Sequence, residues 1–225
     1  MSAPAGNLRA LVVATAALLV AACASPPPPP DWQANARQAV EAAVAAHLEG
    51  NARVEEYEAA RARAEIARSG RLDLLARAEL MRCAARVASL AFEPCEAFEK
   101  LRADAAPAEL AYADFLAGRL RPQDLHLLPA HQQALAGTTA GVEQAAAALA
   151  AIDDPLSRLI AAGVLFKQGR ASPQTLQVAV DTASAQGWRR PLLAWLKLQL
   201  MRAEQAGAED EVQRLRRRIA VVGGP

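Results

Sequence analysis

Prolines and glycines divide the C-terminal third of the chain at regular intervals. The prolines lie 18 residues apart, at Pro155, Pro173 and Pro191. A glycine follows each of them after about one helix length, at Gly169, Gly187 and Gly207. Proline is tolerated in the first turn of a helix and glycine is favoured just after its end. The spacing therefore predicts three successive helices, followed by a fourth over about 209–221, which together form two helical hairpins of about 36 residues each.

Helix-forming residues also dominate the rest of the chain from Asp31 onward. Ala, Leu, Arg, Glu and Gln are abundant, and no segment alternates apolar and polar residues over the length of a strand. We therefore predict an all-α domain over residues 31–221, with its first helices at about 31–49, 52–68 and 72–92. Prolines and glycines interrupt residues 103–137, which predicts short helices and turns there and makes this segment a candidate point of subdivision.

The segment Pro191–Ile219 resembles a tetratricopeptide repeat unit, with Trp195 and Leu196 in its first helix and Gly207 in its turn. The likeness rests on these residues and on a period near 34 residues, not on the full repeat signature. It implies stacked antiparallel helical hairpins in the C-terminal third, with a concave surface for protein segments. The last helix, which has a narrow apolar stripe, would cap the stack.

The N-terminus has the pattern of an export signal. Arg9 is the only charged residue before the apolar run Ala10–Ala22. A membrane-spanning helix needs about 20 apolar residues, which is more than this run provides. A positive start, a short apolar segment and small residues before a cleavage point are typical of a secretory signal peptide. We therefore predict a signal peptide over residues 1–22.

The residues Val20-Ala21-Ala22-Cys23 resemble the lipobox of bacterial lipoproteins. The resemblance implies cleavage before Cys23 and lipid acylation of that cysteine, which would anchor the chain to a membrane. Ala24, at the position after the cysteine, implies sorting to the outer membrane with the domain facing the periplasm. The prolines Pro26–Pro30 then predict a short stiff tether over residues 23–30.

Two further cysteines, Cys83 and Cys95, flank Pro94, which we expect to stop one helix and begin the next. Disulfides persist in exported compartments, so we predict a structural disulfide between these two cysteines. The alternatives are a metal-binding pair and a redox pair. Eleven intervening residues fit neither a CxxC motif nor a compact zinc site.

Charge composition argues against nucleic-acid binding, because 25 Lys and Arg residues face 24 Asp and Glu residues. The densest basic cluster comprises Arg214, Arg216, Arg217 and Arg218. Such a cluster could contact anionic lipid head groups. Glu211 and Asp210 precede Arg214 at the spacing of intrahelical ion pairs, which favours an ordinary solvated helix face.

The sequence contains no nucleophile elbow, P-loop or dinucleotide-binding motif, so we predict neither catalysis nor a cofactor. His126 and His131 have the wrong spacing for a shared metal, and no metal site is predicted. His47 lies near a predicted helix end, where it would interact with the helix dipole. Trp195 is expected in the core, and Trp188, at a helix junction, is the candidate partner-binding aromatic residue.

The leading functional hypothesis is a non-enzymatic scaffold or adaptor for an assembly in the cell envelope, with a protein partner. One alternative is a glycan-cleaving cell-wall enzyme, which predicts a deep cleft with a partly buried glutamate. Its candidate residues are Glu93, Glu96 and Glu109. A second alternative is a carrier of a small apolar ligand, which predicts a closed cavity between helices.

Overall fold

The computed structural model describes residues 30–136 and 141–224, except the side chains of residues 142 and 143. All regular structure in these residues is helical. The α-helices are α1 (Asp31–Glu49), α2 (Ala52–Ala67), α3 (Leu72–Ala88), α4 (Glu96–Glu99), α5 (Pro107–Leu116), α6 (Ala130–Ala136), α7 (Val142–Ala150), α8 (Pro155–Lys167), α9 (Pro173–Ala185), α10 (Arg189–Gln205) and α11 (Glu209–Gly223). Short 3-10 helices, Arg102–Asp104 and Pro122–Leu127, flank α5. The prediction of an all-α fold is confirmed.

The predicted signal peptide, Cys23 and the tether prolines before Pro30 lie outside the described residues. Residues Trp32–Pro225 cluster as one compact unit. In the interrupted segment predicted at 103–137, the described residues 103–136 form short helices and turns, as predicted.

Local side-chain caps explain why several helices begin where they do. The Asp154 carboxylate accepts a hydrogen bond of 2.7 Å from the Ser157 backbone N–H at the start of α8. Ser172 and Thr175 form a reciprocal capping box at the start of α9. The side chain of Asn51 caps α2. Each cap satisfies backbone donors that have no partner within the helix.

The predicted glycine stops are also present, because Gly169, Gly187 and Gly207 have φ angles of +70°, +66° and +66° after α8, α9 and α10. Pro191 lies in the first turn of its helix, as predicted. The helix begins two residues before this proline, at Arg189, and Trp188 occupies the N-cap position.

The end of α3 differs from the prediction. The helix stops at Ala88 and not near residue 92, so Pro94 neither ends it nor begins α4. Leu90 adopts a φ of +58°, a left-handed conformation that is uncommon without glycine. The Leu90 backbone N–H donates to the Val87 carbonyl at 3.0 Å, which closes the helix end. The Leu90 side chain packs against the main core, and this contact helps to hold the unusual conformation.

The main core forms where α3 meets α8 and α10. Trp195 of α10 is fully buried, and its indole N–H donates to the Ala88 carbonyl at 3.0 Å. Its ring lies edge-on to Phe166, with 6.3 Å between ring centroids. Gly163 of α8 faces α3 so closely that a Cβ atom there would lie 2.3 Å from the Val87 carbonyl oxygen. The absence of a side chain at Gly163 therefore permits the backbones of α3 and α8 to touch.

In the C-terminal third, α8, α9, α10 and α11 pack each against the next. Helix α10 buries residues on more than one side, among them Leu192, Leu196 and Leu198. Helix α11 buries only Val212 and Leu215 and exposes most of its other side chains. This difference in burial is the one expected between α10, which packs against a helix on either side, and α11, which lies at the end of the row.

Candidate functional site

The predicted disulfide is present and joins α3 to the start of α4. Cys83 lies in α3 and Cys95 occupies the N-cap position of α4, with 5.9 Å between their Cα atoms. Cys83 is almost completely buried. The bridge therefore ties the irregular segment after α3 back to the helix that precedes it.

An open cleft of about 650 Å³ lies beside this bridge, and we call it the corner cleft. Its apolar surface includes the disulfide itself, Phe92 and Leu116. Its charged side chains are Glu93, Glu99, Arg102, Asp114, Arg119 and Lys167. Both signs of charge are thus present around a partly apolar surface.

Ion pairs organise one side of the corner cleft. Arg102 lies 2.6 Å from Glu99, and Arg119 lies 3.2 Å from Asp114. The Glu99 carboxylate has a lowered pKa because it accepts hydrogen bonds from Arg102. The Lys167 ammonium, also at this cleft, lies over the Phe92 ring, 5.5 Å from its centroid. Such a cation–π contact stabilises the ammonium group without an ion pair to a carboxylate.

A second cleft, of about 480 Å³, lies between α3, α5 and α8, and we call it the Glu109 cleft. Its apolar wall includes Leu80, Met81, Leu127, Leu156 and Ile160. Its polar and titratable side chains are Arg77, Glu109, Tyr112, His131, Asp154 and Ser157. The cleft is open to solvent and is more apolar than the corner cleft.

The Glu109 carboxylate is poorly satisfied. Its side chain is 17% exposed, and its nearest cation is the Arg77 guanidinium, whose Nε lies 3.9 Å from Oε1. Its Oε2 is buried and has no hydrogen-bond partner. A buried carboxylate oxygen without a donor costs about 1–3 kcal/mol or more, so native proteins seldom retain one without a reason.

Tyr112 lines the Glu109 cleft and also packs against the main core. Its ring lies beside that of Phe115, with 5.8 Å between centroids. Burial raises the pKa of the Tyr112 phenol, and the nearby Asp154 charge raises this pKa further. The phenol therefore remains a neutral hydroxyl group at physiological pH.

A partly buried ionic network links α1, α2, α3 and α10, and no local sequence signal indicated it. His47 Nδ1 lies 3.0 Å from the Glu55 carboxylate, and Arg190 Nε donates to the His47 carbonyl at 2.7 Å. Burial lowers the pKa of His47, against the opposing effect of Glu55. His47 lies in the last turn of α1, as predicted, and its interaction with the helix dipole stays a prediction.

Glu79 of α3 is the other centre of this network. Its carboxylate, 5% exposed, lies 2.5 Å from Arg63 and 3.3 Å from Arg82. Arg82 also lies 3.0 Å from Glu56. Arg82 and Glu79 lie three residues apart in α3, whereas the pairs Arg63–Glu79 and Arg82–Glu56 join α2 to α3. Only the three-dimensional fold brings together the partners of these two pairs.

The other candidate residues are dispersed. Trp188 is half-buried and packs against Val44 and Leu48, so most of its ring is already covered. Its role as a partner anchor stays a prediction. Glu93 and Glu96 are both exposed, and of these two only Glu93 lines the corner cleft.

The C-terminal arginines and the remaining histidines also lie on the surface. Arg214 pairs with Glu211 at three residues' separation, as expected for a solvated helix face. His126 is exposed and donates from its ring to the Gln123 carbonyl at 2.8 Å. His131 is exposed at the rim of the Glu109 cleft.

Within residues 30–136 and 141–224, no three His, Cys, Asp or Glu side chains are grouped so as to hold a metal ion. None of the helices in this part of the chain combines the length and apolarity needed to cross a bilayer.

Comparison of the chain with protein-family models, with curated proteins and with solved structures returns no match.

Proposed function

We propose that the protein is a lipid-anchored adaptor of the bacterial envelope, and that its corner cleft binds an extended segment of a partner protein. The observation that carries this proposal is the corner cleft, an open site that combines an aromatic floor with charges of both signs. Acylation at Cys23, an outer-membrane anchor facing the periplasm and tetratricopeptide-like stacking of the C-terminal hairpins are parts of the same proposal.

The disulfide supports this role in two ways. It restrains the wall of the corner cleft, and a pre-organised wall loses less conformational freedom when a partner binds. It is also the kind of bond that persists after export and is rare in a reducing cytosol. Export is in turn what the lipobox at Val20–Cys23 implies.

The charges of the corner cleft define the partner segment. Lys167 interacts with the Phe92 ring, and no carboxylate within the described residues forms an ion pair with it. Glu93 is exposed at the same cleft. A segment that presents an acidic side chain toward Lys167 and a basic one toward Glu93 would satisfy both groups.

Site-specific photocrosslinking in the native envelope tests the proposal. A photoreactive amino acid at residue 94, an exposed position that lines the cleft, should capture one partner in near-stoichiometric amount. The matched control is the same probe at residue 96, which is also exposed but does not line the cleft. Lys167→Glu should reduce capture at residue 94 by at least about tenfold. Equal capture at both positions, or capture that is insensitive to Lys167→Glu, would contradict the proposal.

One observation favours the glycan-cleaving enzyme as a second candidate function, namely the partly buried Glu109 in a cleft. Such enzymes need a second carboxyl group across the substrate. Asp154 also lines this cleft, but its carboxylate already caps α8. Release of soluble fragments from purified cell walls, lost in Glu109→Gln, would support the enzyme. No release by the unmodified protein would leave the adaptor as the better account.

A further inference from the structure

The chemistry of the Glu109 cleft indicates a ligand of its own, distinct from the partner of the corner cleft. We propose that the Glu109 cleft binds a small organic cation, a protonated amine carried on an apolar body.

The first argument is the unsatisfied carboxylate of Glu109. Oε2 has no donor, and Oε1 has only the Arg77 contact at 3.9 Å, which is longer than a hydrogen bond. The terminal torsion of a glutamate side chain is soft, so a small rotation presents either oxygen to the cleft. An N–H donor with a positive charge is the group that satisfies such a carboxylate best.

The second argument is the surroundings of that carboxylate. Asp154 adds a second negative charge, and the Tyr112 ring supplies an aromatic surface that attracts cations. The opposing charge is that of Arg77, whose side chain lies at the exposed rim, as does the His131 ring. Arg77 is 69% exposed and can therefore turn into solvent when a ligand amine replaces it.

The third argument concerns the apolar body of the ligand. Leu80, Met81, Leu156 and Ile160 form a wall that a hydrated inorganic cation would not use. A volume of about 480 Å³ is within the usual range for small-molecule sites. Methionine adapts its shape to different apolar groups, which suits a site for a class of amines.

A ligand-detected NMR titration of the full acylated chain in lipid nanodiscs tests this site, with empty nanodiscs as the reference for lipid partition. The probe is benzylammonium, and its neutral counterpart is benzyl alcohol. We expect benzylammonium to bind with a dissociation constant of about 1 mM or tighter. Benzyl alcohol should bind at least about tenfold more weakly, because it lacks the charge.

Two pairs of variants locate the binding. Glu109→Gln should weaken benzylammonium binding at least about tenfold, whereas Glu96→Gln, at an exposed glutamate outside the cleft, should leave it unchanged. Ala108→Trp should block the cleft, and Ala106→Trp, also exposed but not lining it, should not. No binding of benzylammonium, equal binding of the alcohol, or unchanged binding in both Glu109→Gln and Ala108→Trp would overturn the proposal.

Discussion

Helices α1 and α2 are attached to the molecule by contacts of a different kind from those that join α8 to α11. The buried surface of α1 and α2 consists largely of alanine, for example Ala39, Ala43 and Ala59. Charged side chains then cross between the helices, as in the pairs of Arg63 with Glu79 and of Arg82 with Glu56. Helices α8–α11 instead bury leucines and a tryptophan.

This difference shows two ways of fixing how helices pack. Alanine permits close approach but removes little apolar surface from water, so directional ionic contacts must define the relative positions of α1, α2 and α3. Large apolar side chains define positions by their shape and contribute more free energy of burial. We therefore expect the C-terminal helices to depend on volume and the N-terminal helices on charge and pH.

The largest effect should come from removing volume in the C-terminal core. Trp195→Ala deletes a fully buried ring together with its hydrogen bond to Ala88, and should lower the free energy of unfolding by about 3–5 kcal/mol. Urea denaturation followed by circular dichroism measures this loss. Trp188→Ala, at a half-buried position, is the matched control and should cost clearly less. Equal losses of unfolding free energy in the two variants would contradict the expectation that the C-terminal helices depend on buried volume.

The disulfide lies at the end of α3, where the two kinds of contact meet. Its reduction should lower the free energy of unfolding by about 3 kcal/mol, because the unfolded chain regains the entropy of an open loop. Urea denaturation with and without a reductant measures the change, and Cys95→Ala without reductant should show a similar loss. An unchanged midpoint under reduction would show that the corner is held by packing alone.

Loss of a network charge should have the next largest effect. Glu79→Gln leaves Arg63 and Arg82 without their shared carboxylate and should cost about 2 kcal/mol, less than for a fully buried pair because Arg63 is 35% exposed. Glu41→Gln breaks an exposed pair with Arg37 and should cost less than about 0.5 kcal/mol. Chemical denaturation of both variants tests this contrast, and similar small losses would mean that the network does not stabilise α1–α3.

The smallest effect should be a pH dependence that originates at His47. Burial lowers its pKa in the folded state, so the unfolded state binds more protons when the pH falls below about 6.5. The free energy of unfolding should therefore decrease from pH 7.5 to pH 5. His47→Gln should reduce this decrease, and His126→Gln, at an exposed histidine, should not. A pH dependence that is identical in the two variants would assign it to other groups.

The parts of the fold that the sequence predicted well are those with local causes. Asn51, Asp154 and Ser172 lie beside the backbone donors that they cap, so the helix starts were readable from a few adjacent residues. The end of α3 was missed because its stop residue is Leu90. A leucine in a left-handed conformation has no sequence signature, and its conformation depends on packing with distant residues.

The clefts could not be predicted in the same way. The Glu109 cleft combines residues from Arg77 to Ile160, and the corner cleft combines residues from Cys83 to Lys167. Glu109 was proposed as a partly buried acid, but its neighbours were unknown because they lie on three helices. The sequence indicated the disulfide from its two cysteines alone, without indicating the charged cleft beside it.

The contact between Gly163 and the Val87 carbonyl has a consequence for how this chain can vary. Glycine in a helix interior is normally a position that alanine improves by about 1 kcal/mol. Here even a methyl group would lie 2.3 Å from a backbone atom. In a library that replaces every residue in turn, Gly163 should be the helical position of α8 that accepts no other amino acid. Amino-acid changes elsewhere in α8 would then have to keep glycine at position 163.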